Sequence, residues 1–270
     1  MAPAARTAVG PMTIVAIEQH EPEPLLRDDL AGRFLPPGAR AIAALARVPF
    51  VRHAIRSAAE RRAPGSWTGV LDRKRFLDDD LTTAVGDGCE SVVIPGAGLD
   101  DRAYRLPSLA GVPVYEVDLM PNITAKYQRL HALYGTVPPS VTLAPADLTV
   151  QDLGDVLAQH GYRPERPTYF LCEALTQYLA EDEVRRMFRF LAGAPLGSRL
   201  GLTYIRRDFI DGRHLRFGLE PETVAEFLAE YGWSVRQDLG GGEFARRYGC
   251  PADTGRSRSE LERVVTAQRR

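Results

Sequence analysis

Val92-Val93-Ile94-Pro95-Gly96-Ala97-Gly98-Leu99-Asp100-Asp101-Arg102-Ala103-Tyr104-Arg105 is the stretch on which the fold turns. Ser91 through Ile94 is rich in β-branched residues and lacks a helical period, so a short buried strand is expected there. Two glycines flanking one alanine then break it into a turn. Glycine at 96 and 98 frees the backbone for dihedrals closed to other residues and admits a ligand where a Cβ would stand. The carboxyl end of a strand is where doubly wound sheets bind such ligands. The pattern by itself does not separate a nicotinamide dinucleotide from other adenosine cofactors.

The next segment outward narrows the choice. Val112 to Asp118 reads as a second strand ending in acids, about twenty residues past the glycines, where a carboxylate can accept hydrogen bonds from ribose hydroxyls. Asp118 is the ribose candidate. A third glycine is absent, and Asp100 and Asp101 stand where a pyrophosphate would need bare backbone and positive potential. Two carboxylates disfavour a nicotinamide dinucleotide and suit a cofactor with a cationic end, which points to S-adenosyl-L-methionine, whose sulfonium and amino group are both positive.

Four motifs share one order and spacing: Arg73 to Asp79, Val92 to Arg105, Val114-Tyr115-Glu116-Val117-Asp118-Leu119, and Phe170-Leu171-Cys172-Glu173-Ala174-Leu175-Thr176-Gln177-Tyr178-Leu179. Together, over roughly Gly10 to Ala267, they resemble the leucine carboxyl methyltransferase family of class I methyltransferases, especially its bacterial branch tied to polyketide and other small-molecule O-methylation. The resemblance implies an α/β fold: a Rossmann-like, mostly parallel sheet with a reversed last strand, helices on both faces and an N-terminal helical cap. It implies that Arg73 binds the methionine carboxylate of the cofactor and that Asp147 accepts the adenine amine beside Leu148. It also places Glu173 near the cofactor's amino acid moiety, and sets the N-terminal segment over the cofactor as part of the acceptor pocket. With Gly96, Ala97, Gly98, Asp100, Asp118 and Leu119 these complete the cofactor-binding candidates. Against the usual family pattern, Pro95 replaces an aliphatic residue, removing a backbone donor and stiffening the turn, and Asp101 replaces a small hydroxyl.

At 270 residues, with 44% hydrophobic and 26% charged residues, the chain can bury a full core. A net charge of −1 and arginines interleaved with acids leave no basic stripe for nucleic acid. Cys89, Cys172 and Cys250 are far apart and lack metal-ligand spacing, so reduced packing residues and no metal are expected. Met12 to Ile17 is too short for a signal or membrane segment, and a cytoplasmic enzyme is expected.

Met1 to Ala8 reads as a loose arm, followed by a short helix over Gly10 to His20 and a small element around Asp28 to Phe34. Ala39 to Arg62 has a helical period broken at Pro49, with Ile42, Leu45, Ala46, Ile55 and Ala58 on one side, and a further helix runs from Trp67 to Val85. Residues 1–66 are thus an arm and cap, and 67–270 the cofactor-binding core of one compact domain. Helices are expected from Pro121 to a stop at Gly135, from Gln151 to His160, from Glu181 to Ala192 and from Pro221 to Tyr231. Strands are expected at Val141–Leu143, Thr168–Cys172, Arg199–Tyr204 and Trp233–Val235, with Val264–Ala267 as the reversed last strand.

Asp147 has a second reading as a helix cap, Arg73 as a surface arginine, and Glu173 as a structural residue. At the exit of the Arg199 strand, Tyr204 and Arg206 are candidates to orient a carboxylate or phenolate; the alternative is a core tyrosine and a solvated arginine. His20 and His214 are the candidate general bases, whereas His131 and His160 near helix ends read as solvated. A carboxyl acceptor is ionised at neutral pH and needs no base, and a phenol does need one. The expected activity is therefore O-methylation of a carboxyl group on a small natural-product-like acceptor. Methylation of a phenolic or enolic hydroxyl is the first alternative, and a methyltransferase fold that keeps its cofactor for another reaction is the second.

Overall fold

The computed structural model describes residues 8–249 and 258–270. Residues 1–7 of the expected Met1 to Ala8 arm, and Cys250, therefore lie outside the described residues. Seven strands form one sheet: β1 (Ser91–Pro95), β2 (Val114–Asp118), β3 (Val141–Pro145), β4 (Thr168–Cys172), β5 (Arg199–Ile205), β6 (Trp233–Leu239) and β7 (Glu262–Arg269). Their order is β3-β2-β1-β4-β5-β7-β6, with β1 to β5 parallel and β7 inserted antiparallel between β5 and β6. The reversed strand falls where the Val264–Ala267 run predicts it.

The helices are α1 (Val9–Glu18), α2 (Ala31–Phe34), α3 (Pro37–Leu45), α4 (Pro49–Arg62), α5 (Ser66–Gly86), α6 (Arg102–Arg105), α7 (Met120–Tyr134), α8 (Leu153–Gln159), α9 (Glu181–Leu191), α10 (Val224–Glu230) and α11 (Gly241–Tyr248). Strand parity sorts the core. Val93, Tyr115, Val117, Phe170, Cys172, Leu200, Leu202 and Tyr204 face one side with buried residues of α8, α9 and α10. The alternate residues Val92, Ile94, Val114, Tyr169 and Leu171 face the other, with Phe76, Leu77 and Leu81 of α5 and Phe244 of α11. Each such side chain contributes about 1.5–3 kcal/mol by leaving water.

A third cluster joins α1, α2 and α3 to Trp67 and Leu71 of α5, so the front helices share a core with the long helix that leads into β1. Proline opens α3 and α4, and the break at Pro49 lies where the sequence puts it. Ala46 on that side is fully buried, but Ile42 and Leu45 are 47% and 62% exposed, so only part of that apolar side enters the core. Two other boundaries shift. The expected helix at Pro221 starts only at Val224, and β6 runs on to Leu239 before α11, a helix hidden by the breakers Gly240, Gly241 and Gly242. Burial pushes the Cys89 and Cys172 thiols up to about 11 and about 12, as suits packing residues. Among the described residues no helix is long and apolar enough to cross a membrane.

Candidate functional site

The site forms where β1 and β4 part. In this strand order the chain moves from β1 to β2 on one side and later reaches β4 on the other, so a crevice opens at their carboxyl ends. Pro95 marks the parting. Val92 N and Gly96 N donate to Pro113 O and Val117 O on the β2 side, at 2.9 and 2.7 Å, so by alternation residue 95 would donate toward β4. The β1–β4 ladder already ends at Val93 opposite Phe170, and the missing N–H removes no sheet bond.

The turn that follows is held from two directions. Gly96 and Gly98 have φ of +71° and +41°, the left-handed region where side chains are strained. Gly98 N donates to Asp118 Oδ2 at 2.5 Å, while Asp118 Oδ1 accepts from Leu119 N at 2.6 Å and Asn122 Nδ2 at 2.8 Å. From behind, the buried Lys126 of α7 donates to the carbonyls of Asp100 and Ala97 and to Glu116 Oε2.

A cavity of about 520 Å³ opens over this turn. Every cofactor-binding candidate from the sequence lines it: Arg73 from α5; Gly96, Ala97, Gly98 and Asp100 from the turn; Asp118 and Leu119 after β2; Asp147 and Leu148 after β3; and Glu173 after β4. Pro11, Met12 and Val15 of α1 close one side, and Ile205, Leu215, Leu261 and Glu262 close another.

Buried ion pairs neutralise the wall. Glu173 sits between Arg73 Nε at 2.9 Å and Arg102 Nη2 at 2.7 Å. Burial alone would raise its carboxyl, but Arg102 and Arg73 outweigh that and hold it down to about 2. Arg73, 7% exposed, also pairs with Glu262, so it is not a surface arginine bonded to Asp78 or Asp79. Arg102 pairs with Asp78 at 2.6 Å and with Asp100. Asp101 is fully buried, bonded to Lys74 and Arg105 at 3.0 Å, and points away from the cavity. The picture of two bare carboxylates at the turn is corrected accordingly: one is internal, and the other is matched by an arginine two residues on. The residue after Glu173 is also unusual, since Ala174 has φ +52° and its N–H is held by Thr203 Oγ1 at 2.8 Å.

Asp147 does not cap α8. Asp152 does, accepting from Gly154 N, while Asp147 Oδ1 accepts from Thr149 N and Oγ1. The four candidates to orient the acceptor or act as a base, Tyr204, Arg206, His20 and His214, lie outside the cavity. Strand parity turns Tyr204 into the core, where its hydroxyl donates to Asp238 Oδ2 at 2.8 Å. Arg206 pairs with Asp208 at the surface, and His20 Nε2 lies 3.0 Å from Ala43 O in the cap. His214, the other candidate base, is exposed beside Asp211. Among the described residues no group of three or more His, Cys, Asp or Glu could hold a metal.

Lys74, Arg102, Gln177 and Glu262, none of them a candidate from the sequence, also line the cavity. Lys74 and Arg102 carried a signal, since both stand in the quoted motifs next to residues singled out. Glu262 comes from the start of β7, far along the chain, and only the antiparallel pairing of Ile205 with Glu262 brings it here.

A sequence model of the leucine carboxyl methyltransferase family matches residues 8–192. A relative from Frankia alni is 34% identical over 206 residues, covering 76% of this chain and 70% of its own. Another, from Streptomyces avermitilis, is 31% identical over 269 residues, covering 94% and 91%. Both carry the provisional name S-adenosyl-L-methionine-dependent methyltransferase. Among solved structures, a provisionally named methyltransferase from Thermobifida fusca superposes with a TM-score of 0.62 at 16% identity, covering 99% of this chain and 98% of its own, a likeness of fold.

Proposed function

This chain belongs to the leucine carboxyl methyltransferase family, and on that footing we propose that it is an O-methyltransferase acting on a small natural-product-like acceptor. Dependence on S-adenosyl-L-methionine comes with the family. The observation that carries the reading is that residues from α5 and from the ends of β1, β2, β3 and β4 line a single cavity.

The residues present fit the cofactor. Gly96 and Gly98 line the cavity with φ of +71° and +41°, a conformation that side chains rarely adopt, so the turn offers bare backbone to a ligand there. Asp118 would take the ribose hydroxyls, with its carboxylate fixed by three donors. Asp147 and Leu148 would take the adenine, Arg73 the methionine carboxylate, and Glu173 and Asp100 the cationic end. When bound, the cofactor would supply an electrophilic methyl group on its sulfonium. The protein's task is to hold an acceptor oxygen in line and keep water out, and the apolar side chains of α1, Ile205, Leu215 and Leu261 suit that task. We read residues 1–66 as an arm and cap on a core of 67–270, in a cytoplasmic enzyme that needs neither nucleic acid nor a membrane.

Calorimetric titration with S-adenosyl-L-methionine and with its demethylated product tests the reading. Micromolar binding that is lost in Asp118→Ala is expected. Failure of the unaltered protein to bind either compound would remove it.

A further inference from the structure

Among the described residues, two buried side-chain oxygen atoms on residues lining the cavity have no hydrogen-bond donor. Gln177 is 4% exposed, and its Oε1 is buried without a partner among the described residues. Glu262 Oε1 is in the same condition, while its Oε2 receives Arg73. A buried acceptor left unmet is worth roughly tenfold to a hundredfold in an equilibrium, so a ligand that supplies the donor gains by that much. Gln177 can present either end of its amide by rotation about its last bond. The Glu262 carboxylate can only accept.

Charge points the same way. The carboxylates lining the cavity are Asp100, Asp118, Asp147, Glu173 and Glu262, and the cations are Arg73, Lys74 and Arg102. Each of those cations is already paired: Arg73 with Glu173 and Glu262, Lys74 with Asp28 and Asp101, and Arg102 with Asp78, Asp100 and Glu173. A carboxylate acceptor would bring another negative charge and no donor to this wall. A neutral hydroxyl compound brings a donor and no charge.

Resting on the O-methyltransferase reading, we propose that the acceptor is an apolar molecule bearing a hydroxyl group, that Glu262 accepts the hydroxyl proton, and that Gln177 fixes the acceptor's orientation. This sets the carboxyl acceptor aside in favour of the phenolic or enolic alternative. In the transfer, the O–H bond breaks and its proton moves to Glu262 Oε1 while the oxygen bonds the methyl carbon. The methyl carbon–sulfur bond breaks with its electron pair left on sulfur, and the proton then passes to solvent.

The probes are 2-naphthol and 2-naphthoate, matched in shape and different in charge and donor, titrated into the full chain with S-adenosylhomocysteine present. Naphthol is expected to bind at least about tenfold tighter than naphthoate. Glu262→Gln keeps an oxygen for Arg73 and should shrink that preference by about tenfold when both probes are titrated with S-adenosylhomocysteine at saturation. Gln177→Leu should weaken both aromatic probes. Tighter binding of naphthoate, binding of neither probe, or an unchanged preference in Glu262→Gln overturns the proposal. If S-adenosylhomocysteine itself fails to bind, the underlying methyltransferase reading fails instead.

Discussion

Lys126 Nζ sits 2.6 Å from Glu116 Oε2, and the same ammonium reaches the carbonyl oxygens of Asp100 and Ala97 at 2.9 and 3.3 Å. Glu116 is fully buried in the second strand, so one lysine both neutralises an internal carboxylate and ties down the glycine turn. Lys126→Met should cost about 3–5 kcal/mol by leaving the carboxylate alone. Lys126→Met/Glu116→Leu should recover most of that stability but not the cofactor affinity, because the two carbonyls still lack their donor. Chemical denaturation and calorimetry on both variants decide the matter; recovery of affinity together with stability would reduce Lys126 to a charge partner.

At Gly98 the backbone is left-handed, and an added Cβ would press on Ala8 at 3.0 Å. Gly98→Ala is expected to lower stability by about 1–2 kcal/mol. It should weaken cofactor binding about tenfold or more, because the turn that presents Gly98 N to Asp118 must shift. A wild-type dissociation constant in this variant would show that the turn does not face the cofactor.

Acid should act through Glu173. Its carboxyl is held at about 2 in the fold against an ordinary 4.5, so the unfolded chain binds the proton more readily and stability rises with pH in that window. About 3 kcal/mol is present above 4.5 and is lost as the pH falls toward 2. Urea titrations from pH 5 down to 2.5 should show this slope in the unaltered protein and a shallower one in Glu173→Gln.

Glu116 works in the opposite sense. Burial raises it to about 7 despite the pull of Lys126, so between 4.5 and 7 the folded chain holds the proton more tightly and stability falls as pH rises. Glu116→Gln should flatten denaturation midpoints across that range, and an unchanged slope would mean the decline belongs to other groups.

Tyr204→Phe removes a hydroxyl bonded to Asp238 but nothing that lines the cavity. A loss of about 1 kcal/mol is expected, with cofactor affinity and methyl transfer unchanged. A drop in turnover without loss of stability would return Tyr204 to the active site.

Much of this was legible because short motifs carry their own geometry. The Gly96-Ala97-Gly98 turn, Asp118 at a strand end and Glu173 at the next each declare a carboxyl-end position, and the sheet brings carboxyl ends together. Tyr204 misled because the exit of a strand is one place in sequence and two in space. Its parity faces α9 and α10, and its neighbour Ile205 faces the cavity. Glu262 was invisible because its position depends on antiparallel pairing with Ile205, more than fifty residues earlier in the chain. The pairing of Asp101 with Lys74 was equally hidden, since charge in a sequence says nothing about which carboxylates turn inward.

The place of β7 in the sheet has a consequence for how the molecule assembles. It lies between β5 and β6 although both precede it in sequence, and its first residue, Glu262, forms part of the cavity wall. Neither β5 nor β6 can complete its pairing until this strand, made after both, arrives between them. The binding cavity is consequently among the last parts to be finished, and a chain caught midway would show an unpaired β5 edge and no competent wall. Ligand capture therefore reports completed folding, and a ligand added to refolding protein should act late, by trapping the finished sheet, without hastening the steps that build β1 to β4.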